Sequence, residues 1–226
     1  GRDRVDKKFL DTTYEIALSA FGKNEHEKAF KYMRLAADYG SDKAMTFLGV
    51  HHKNGKILKP DYKKAMDYFN KALQVNKENG YAAFDLGRMY YLGLGVQVDC
   101  EKAFELEKQA ISVAKEGENT YLPAAYAVAA ACLINLSRLK EAAEYCTKAR
   151  ELGVGGKISY CLGGLCEKGI MNVRKTEVTS TAMRLYEEAA NEGVAGAMYA
   201  LGNIYKSVNL MEEAELWYKK AADKGL

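Results

Sequence analysis

Apolar residues recur along the chain at the spacing of an amphipathic α-helix, and one pattern of residues occurs six times. In each copy an alanine is followed seven residues later by a second alanine. Seven residues make about two turns of an α-helix, so both alanines lie on the same face of a predicted helix. The pairs are Ala29 and Ala36, Ala65 and Ala72, Ala103 and Ala110, Ala142 and Ala149, Ala182 and Ala189, and Ala214 and Ala221. Bulky residues separate the alanines in most copies, which predicts close packing against a neighbouring helix.

A second pattern precedes the first and predicts a partner helix for it. Its clearest copies read Leu-Gly-x-x-Tyr, at Leu86–Tyr90 and Leu201–Tyr205, and partial copies begin at Leu48 and Leu162. A glycine inside a helix costs about 1 kcal/mol relative to alanine, so its recurrence indicates that two helices cross closely there. Four of the second helices are followed by a glycine, the residue that favours a left-handed C-terminal cap, at Gly40, Gly153, Gly193 and Gly225.

The spacing between copies is that of a helical repeat protein. The first alanines of successive copies lie 32 to 40 residues apart. One helix pair cannot bury its apolar face alone, so neighbouring pairs are expected to stack on one another. We therefore predict an all-α protein, an α-solenoid of about six helix-turn-helix repeats that forms one domain over residues 1–226. Because the chain stops where another repeat would begin, we also expect it to be a fragment of a longer protein.

The third repeat resembles the Sel1-like repeat of the tetratricopeptide-repeat-like superfamily. The residues that carry the resemblance are Leu86, Gly87 and Tyr90, the turn Gly93-Leu94-Gly95-Val96, and Asp99, Lys102 and Ala103. A looser copy of the same turn begins at Asn54 in the second repeat. We predict Sel1-like turns only in these two repeats, tetratricopeptide-like units in the first, fourth and last, and an irregular connection from Gly169 to Thr181 in the fifth. The resemblance implies a right-handed superhelix with a concave face.

The resemblance also implies a binding surface, because the first helix of each pair lines the concave groove in these families. Residues two positions before the motif leucine, or its equivalent, face the groove: Tyr14, Thr46, Phe84, Ala127, Tyr160 and Tyr199. Two positions after it come residues that include Val50, Arg88 and Asn203, and five positions after it comes Tyr91 in the third repeat. The predicted partner-binding residues are Tyr14, Phe84, Arg88, Tyr91, Tyr160, Tyr199 and Asn203.

Aromatic rings are suited to such a surface because they offer a large contact area at a low entropic cost, while Arg and Asn can bond a peptide backbone. The alternative is that the rings pack between successive first helices as core residues, as aromatic residues at helical spacing often do.

Composition and charge exclude several other classes of partner. The chain has 48% hydrophobic and 28% charged residues, as a folded globular protein does. Its basic and acidic side chains are interleaved and the formal net charge is only +3, which favours neither nucleic acid nor a membrane surface. No segment approaches the roughly 20 apolar residues of a transmembrane helix, and the first residues lack the apolar core of a signal peptide. We predict a cytoplasmic protein.

The reactive residues do not form a catalytic or metal-binding motif. His51 and His52 are adjacent, so on a helix they point about 100° apart and cannot share a metal ion without further ligands. The five cysteines have irregular spacing, which predicts free thiols rather than a disulfide framework. The glycine-rich segments at Gly93–Gly95 and Gly153–Gly156 lack the preceding strand and the following Lys-Ser or Lys-Thr of a phosphate-binding loop. We predict no catalytic residue, no cofactor and no bound metal.

These observations lead to two hypotheses about function. The first is a non-enzymatic scaffold or adaptor that binds a partner peptide or domain in the concave groove. The second is a non-catalytic regulatory or targeting region of a larger enzyme or secreted effector. Both predict a protein partner and assign no role in nucleic-acid or membrane binding.

Overall fold

The computed structural model of the protein describes residues 6–115, 117 and 121–226. In this part of the chain all regular structure is helical, and the predicted six helix pairs are confirmed. The helices are α1 (Lys7–Gly22), α2 (His26–Asp38), α3 (Asp42–Asn54), α4 (Tyr62–Val75), α5 (Gly80–Leu92), α6 (Cys100–Ser112), α7 (Leu122–Asn135), α8 (Leu139–Glu151), α9 (Lys157–Glu167), α10 (Val178–Asn191), α11 (Ala195–Ser207) and α12 (Met211–Asp223). A short 3₁₀ turn, Lys175–Glu177, precedes α10.

Side-chain caps and glycines mark the ends of the helices. Ser41, Asp61, Asn79 and Asp99 each precede a helix and accept a hydrogen bond from a backbone N–H of its first turn, which satisfies a group that the helix leaves free. The four glycines predicted to follow second helices, Gly40, Gly153, Gly193 and Gly225, all have φ between 87° and 106°. Their left-handed conformation is confirmed.

The chain forms two compact units, Gly1–Ala125 and Tyr126–Leu226, here called unit 1 and unit 2. In unit 1 the helices pack as the pairs α1 with α2, α3 with α4 and α5 with α6, and successive pairs touch through α2 with α3 and α4 with α5. Unit 2 repeats this order from α8 to α12. Within each unit, successive helices therefore pack on their neighbours in sequence, as they do in an α-solenoid.

In three repeats the glycine of the Leu-Gly pattern lies against an aromatic ring of the second helix. A Cβ placed on Gly49 would be 2.7 Å from Cε1 of Phe69, and one placed on Gly163 would be 2.5 Å from Cε1 of Tyr186. Gly202 meets Tyr218 in the same way. The close approach predicted from the sequence is confirmed, and the ring explains why a side chain is excluded at these positions.

Replacing Gly49 by alanine is expected to lower the free energy of unfolding by about 1–2 kcal/mol, as overpacking of a core does. Alanine is the better helix former by about 1 kcal/mol, but its methyl group would have to displace the buried ring of Phe69. Gly22, at the end of α1, is the matched control because no atom lies within 4 Å of the position of its Cβ. Urea unfolding in which Gly49→Ala is as stable as Gly22→Ala would contradict the packing argument.

Candidate functional site

The first helices of unit 1 surround a cavity of about 470 Å³. It is lined from α1, α3, α5 and the residue that caps α5, by Tyr14, Lys43, Thr46, Phe47, Val50, His51, Asn79, Tyr81 and Asp85. Tyr14, Thr46 and Val50 occupy the positions that the sequence predicted to face a groove. The volume is within the range of ligand sites in proteins, which runs from about 300 to 1,000 Å³.

One wall of the cavity is apolar and belongs to α3. Phe47 and His51 lie with ring centroids 4.3 Å apart, and Phe21 from α1 packs against both of them edge to face. Burial lowers the pKa of His51 below its ordinary value, and the neighbouring His26 and His52 lower it further. His51 is therefore uncharged at neutral pH, and with Val50 it presents a surface suited to an apolar side chain.

Another edge of the cavity is polar, and its groups bond to one another. The Nδ2 atom of Asn79 donates to Oδ2 of Asp42 and to Oγ1 of Thr46, each at 2.9 Å. Further towards the C-terminal ends of α3 and α5, Nζ of Lys53 donates to Oδ1 of Asp85 at 2.8 Å. Both contacts join α3 to α5, so they hold the two sides of the cavity in place before any ligand binds.

Four predicted site residues lie in unit 1, and only Tyr14 of them lines the cavity. Phe84 is 8% exposed, and its ring is stacked on Tyr121 with centroids 5.6 Å apart. It is a core residue, so the prediction of an exposed ring at this position is wrong. The guanidinium of Arg88 lies 5.5 Å from the centre of the Phe84 ring, and Tyr91 is half-buried.

Tyr121 explains the burial of Phe84. The Tyr121 hydroxyl donates to the carbonyl oxygen of Ala110 at 2.7 Å, which fixes the ring against α5, where it also meets Tyr81. A Cβ on Gly80 would lie within 2 Å of the same hydroxyl, so the glycine at the start of α5 makes room for it. Tyr121 precedes α7 and lies outside the repeat pattern, so the spacing of the repeats did not reveal it.

The other three predicted residues lie on the first helices of unit 2. Tyr160 of α9 and Tyr199 of α11 are exposed. The ring of Tyr160 lies against the backbone of Gly196, and the ring of Tyr199 is 5.5 Å from that of Tyr218. The Tyr218 hydroxyl donates to Oδ1 of the exposed Asn203 at 2.6 Å.

The lining residues Phe47, His51, Asn79, Tyr81 and Asp85 were not predicted as binding residues. Asn79 had a local signal, because an asparagine before a helical pattern is a typical N-cap. The others depend on contacts between repeats, which spacing within one repeat does not show.

The cysteines and histidines show no sign of a reactive centre in the described residues. None of the five cysteines is in a disulfide bond, and burial raises the pKa of the Cys146 thiol to about 12. Across residues 6–115, 117 and 121–226, no three His, Cys, Asp or Glu side chains are grouped so that they could hold a metal ion. Over the same ranges, no helix has the length and apolar character needed to cross a bilayer.

Solved structures support the fold. A Sel1 repeat protein from Oxalobacter formigenes is 23% identical, with a TM-score of 0.61 over 95% of this chain and 87% of that one. A protective antigen of uropathogenic Escherichia coli with an SLR fold, c5321, is 20% identical, with a TM-score of 0.58 over 96% of this chain and 54% of that one. YrrB, a tetratricopeptide-repeat protein with an unusual peptide-binding site, is 17% identical, with a TM-score of 0.64 over 87% and 92%. No curated protein matches the chain in sequence.

The Sel1 repeat matches the chain at residues 21–41, 42–74, 80–112 and 160–194, and a tetratricopeptide repeat matches residues 195–223. The tetratricopeptide character of the last pair is confirmed. The restriction of Sel1 character to the second and third repeats is wrong, because the matches also include the whole second helix of the first pair and nearly all of the fifth pair. In the fifth pair Met171 and Val173 of the irregular connection pack on the core of unit 2, so the connection is part of the repeat. The repeats cover most of the chain, which therefore belongs to the Sel1 repeat family.

Proposed function

We propose that the protein is an interaction scaffold that binds an extended peptide segment of a partner protein in the cavity of unit 1. Sel1 and tetratricopeptide repeats generally serve as non-catalytic scaffolds for protein interactions, which supports this proposal. The observation that carries it is the cavity itself, because its apolar wall and its bonded polar edge are both built from first helices. YrrB, a tetratricopeptide-repeat protein that shares the fold, has a peptide-binding site, which also supports the proposal.

The chemistry of the cavity indicates what the peptide presents to it. Phe47, Val50 and the uncharged His51 favour an apolar side chain, whose transfer from water stabilises the complex by about 25 cal/mol per Å² of buried area. Asp85 is already paired with Lys53, so it adds little net charge to the site. The partner segment is therefore apolar at its centre.

Changing Val50 to Asp is expected to weaken peptide binding at least about tenfold, because it places a carboxylate on the apolar wall. Peptides are first selected from a random display library on the wild-type protein, and the affinity of the best binder is then measured by calorimetry. Val75→Asp is the matched control, since Val75 is exposed on the second helix α4 and lies outside the cavity lining. Equal affinity for Val50→Asp and Val75→Asp, both folded by circular dichroism, would refute the proposed site.

The aromatic residues of unit 2 are tested with the same peptide. Tyr160 and Tyr199 remain predicted binding residues, and both are exposed enough to touch a ligand. If the selected peptide binds unit 2 instead of the unit 1 cavity, Tyr160→Ala and Tyr199→Ala weaken its binding and Val50→Asp does not. If neither tyrosine change has an effect, Tyr160 and Tyr199 are not binding residues for this peptide.

A further inference from the structure

Glu107 of α6 is a buried carboxyl group in a place where three other repeats have an aromatic ring. Gly49, Gly163 and Gly202 each face a ring of the second helix, whereas a Cβ on Gly87 would lie 2.4 Å from Oε1 of Glu107. The side chain is fully buried, and neither carboxyl oxygen has a hydrogen-bond partner among the described residues. The carboxyl therefore lies in the interface between α5 and α6 without the bonds that normally stabilise a buried polar group.

The charged and titratable groups around Glu107 do not compensate its charge. Asp85 of α5 repels an ionised Glu107, and Arg88 of α5 attracts it only in part, since its guanidinium lies over the ring of Phe84. The hydroxyl of Tyr121 is bonded to a backbone carbonyl. Burial and Asp85 together raise the pKa of Glu107 to about 10, so the group is protonated at neutral pH.

We propose that Glu107 makes the third helix pair, α5 with α6, a pH-sensitive element of the fold, which packs closely while the carboxyl is protonated and loosens when it ionises. An ion in this interface has neither water nor a bonded counter-ion, so separation of the two helices is the way in which it becomes solvated. Because α5 also carries Tyr81 and Asp85 of the cavity lining, the same movement alters the proposed peptide site.

The direction of the pH dependence follows from the two protonation states. In the unfolded chain Glu107 ionises near its ordinary pKa of 4.5, while in the folded chain it keeps its proton to about pH 10. Its contribution to stability is therefore complete below pH 4.5 and decreases as the pH rises towards 10. Each pH unit in that window lowers the ratio of folded to unfolded protein by up to about tenfold.

Urea unfolding of the full chain between about pH 5 and about pH 9, with Glu107→Gln beside the wild type, tests the titration. The unfolding midpoint of the wild type is expected to fall with rising pH, and the fall is expected to be much smaller in Glu107→Gln. Glu105→Gln is the matched control, because Glu105 lies on the same helix, is exposed and undergoes the same change from carboxyl to amide. Parallel profiles for the wild type and Glu107→Gln would overturn the proposal.

Hydrogen exchange locates the loosening. At about pH 9 the amides of α5 and α6 are expected to exchange at least about tenfold faster in the wild type than in Glu107→Gln, while those of α1 and α2 exchange equally. A difference spread evenly over all helices would refute a local element. If Glu107→Gln does not fold, Glu107→Met fills a similar volume without polar atoms, and the same two measurements apply to it.

Discussion

Replacing Phe69 by alanine is expected to lower the free energy of unfolding by about 3–5 kcal/mol, the cost of deleting a buried phenylalanine. The Phe69 ring is fully buried in the core of unit 1 and covers the backbone of Gly49. Gly49 has no side chain that could move into the space, so the cavity left behind cannot collapse easily. The loss of stability includes the transfer free energy of the buried ring and the cost of the cavity that its removal leaves. Urea unfolding followed by circular dichroism measures the sum of the two.

Two further variants separate packing from simple loss of an aromatic residue. Phe9 of α1 is 43% exposed and touches the ring of Tyr39, so Phe9→Ala is expected to cost less than about 1 kcal/mol. In the background of Phe69→Ala, the change Gly49→Ala is expected to be neutral or stabilising by up to about 1 kcal/mol, because the ring with which the methyl group collides is gone and the helix propensity of alanine remains. Equal losses for Phe69→Ala and Phe9→Ala, or additive losses for Gly49 and Phe69, would contradict this account.

The repeated helix pairs could be predicted because their determinants lie close together in sequence. All twelve alanines of the seven-residue pattern are at most 2% exposed in the structure. Position on a helix decides which face a residue occupies, and the glycine of the Leu-Gly pattern marks the crossing point with the second helix. Within each unit, a repeat contacts mainly its neighbours in the chain, so local patterns were sufficient to predict the helical repeats.

The candidate site could be predicted only in part, because it depends on contacts between repeats. The resemblance to Sel1-like repeats implied the side of the first helix to which Tyr14, Thr46 and Val50 belong, and these three residues line the cavity. It did not show that Tyr121 covers Phe84, since Tyr121 lies outside the repeated pattern. The same positional rule therefore places one aromatic residue in a cavity and another in the core.

The burial of Glu107 also could not be predicted from the sequence pattern. In the sequence, Glu107 lies between the paired alanines Ala103 and Ala110, where most copies have bulky residues. Whether such a carboxylate points to solvent or into the helix interface depends on the shape of its surroundings. Gly87 leaves the space for it on α5, and in the structure the carboxyl occupies that space.

Changing Lys53 to Met is expected to lower the free energy of unfolding by about 3 kcal/mol, because it leaves the carboxylate of Asp85 buried without its cation. The side chains of Lys53 and Asp85 are only 12% and 11% exposed, and the bond between them is 2.8 Å long. Methionine keeps most of the apolar stem of lysine, so the loss reports on the charge rather than on packing. The pair joins α3 to α5 beside the cavity, so the variant is also expected to bind peptide more weakly.

A double variant distinguishes an uncompensated charge from a general loss of contacts. Asp85→Asn removes the stranded charge, so Lys53→Met with Asp85→Asn is expected to recover most of the stability that Lys53→Met loses. The surface pair of Arg138 and Glu141, with both side chains at least 40% exposed, provides the control, and Glu141→Gln is expected to change stability by less than about 0.5 kcal/mol. Losses that simply add in the double variant would show that the two side chains act independently, and the buried ion pair would then not be what joins α3 to α5.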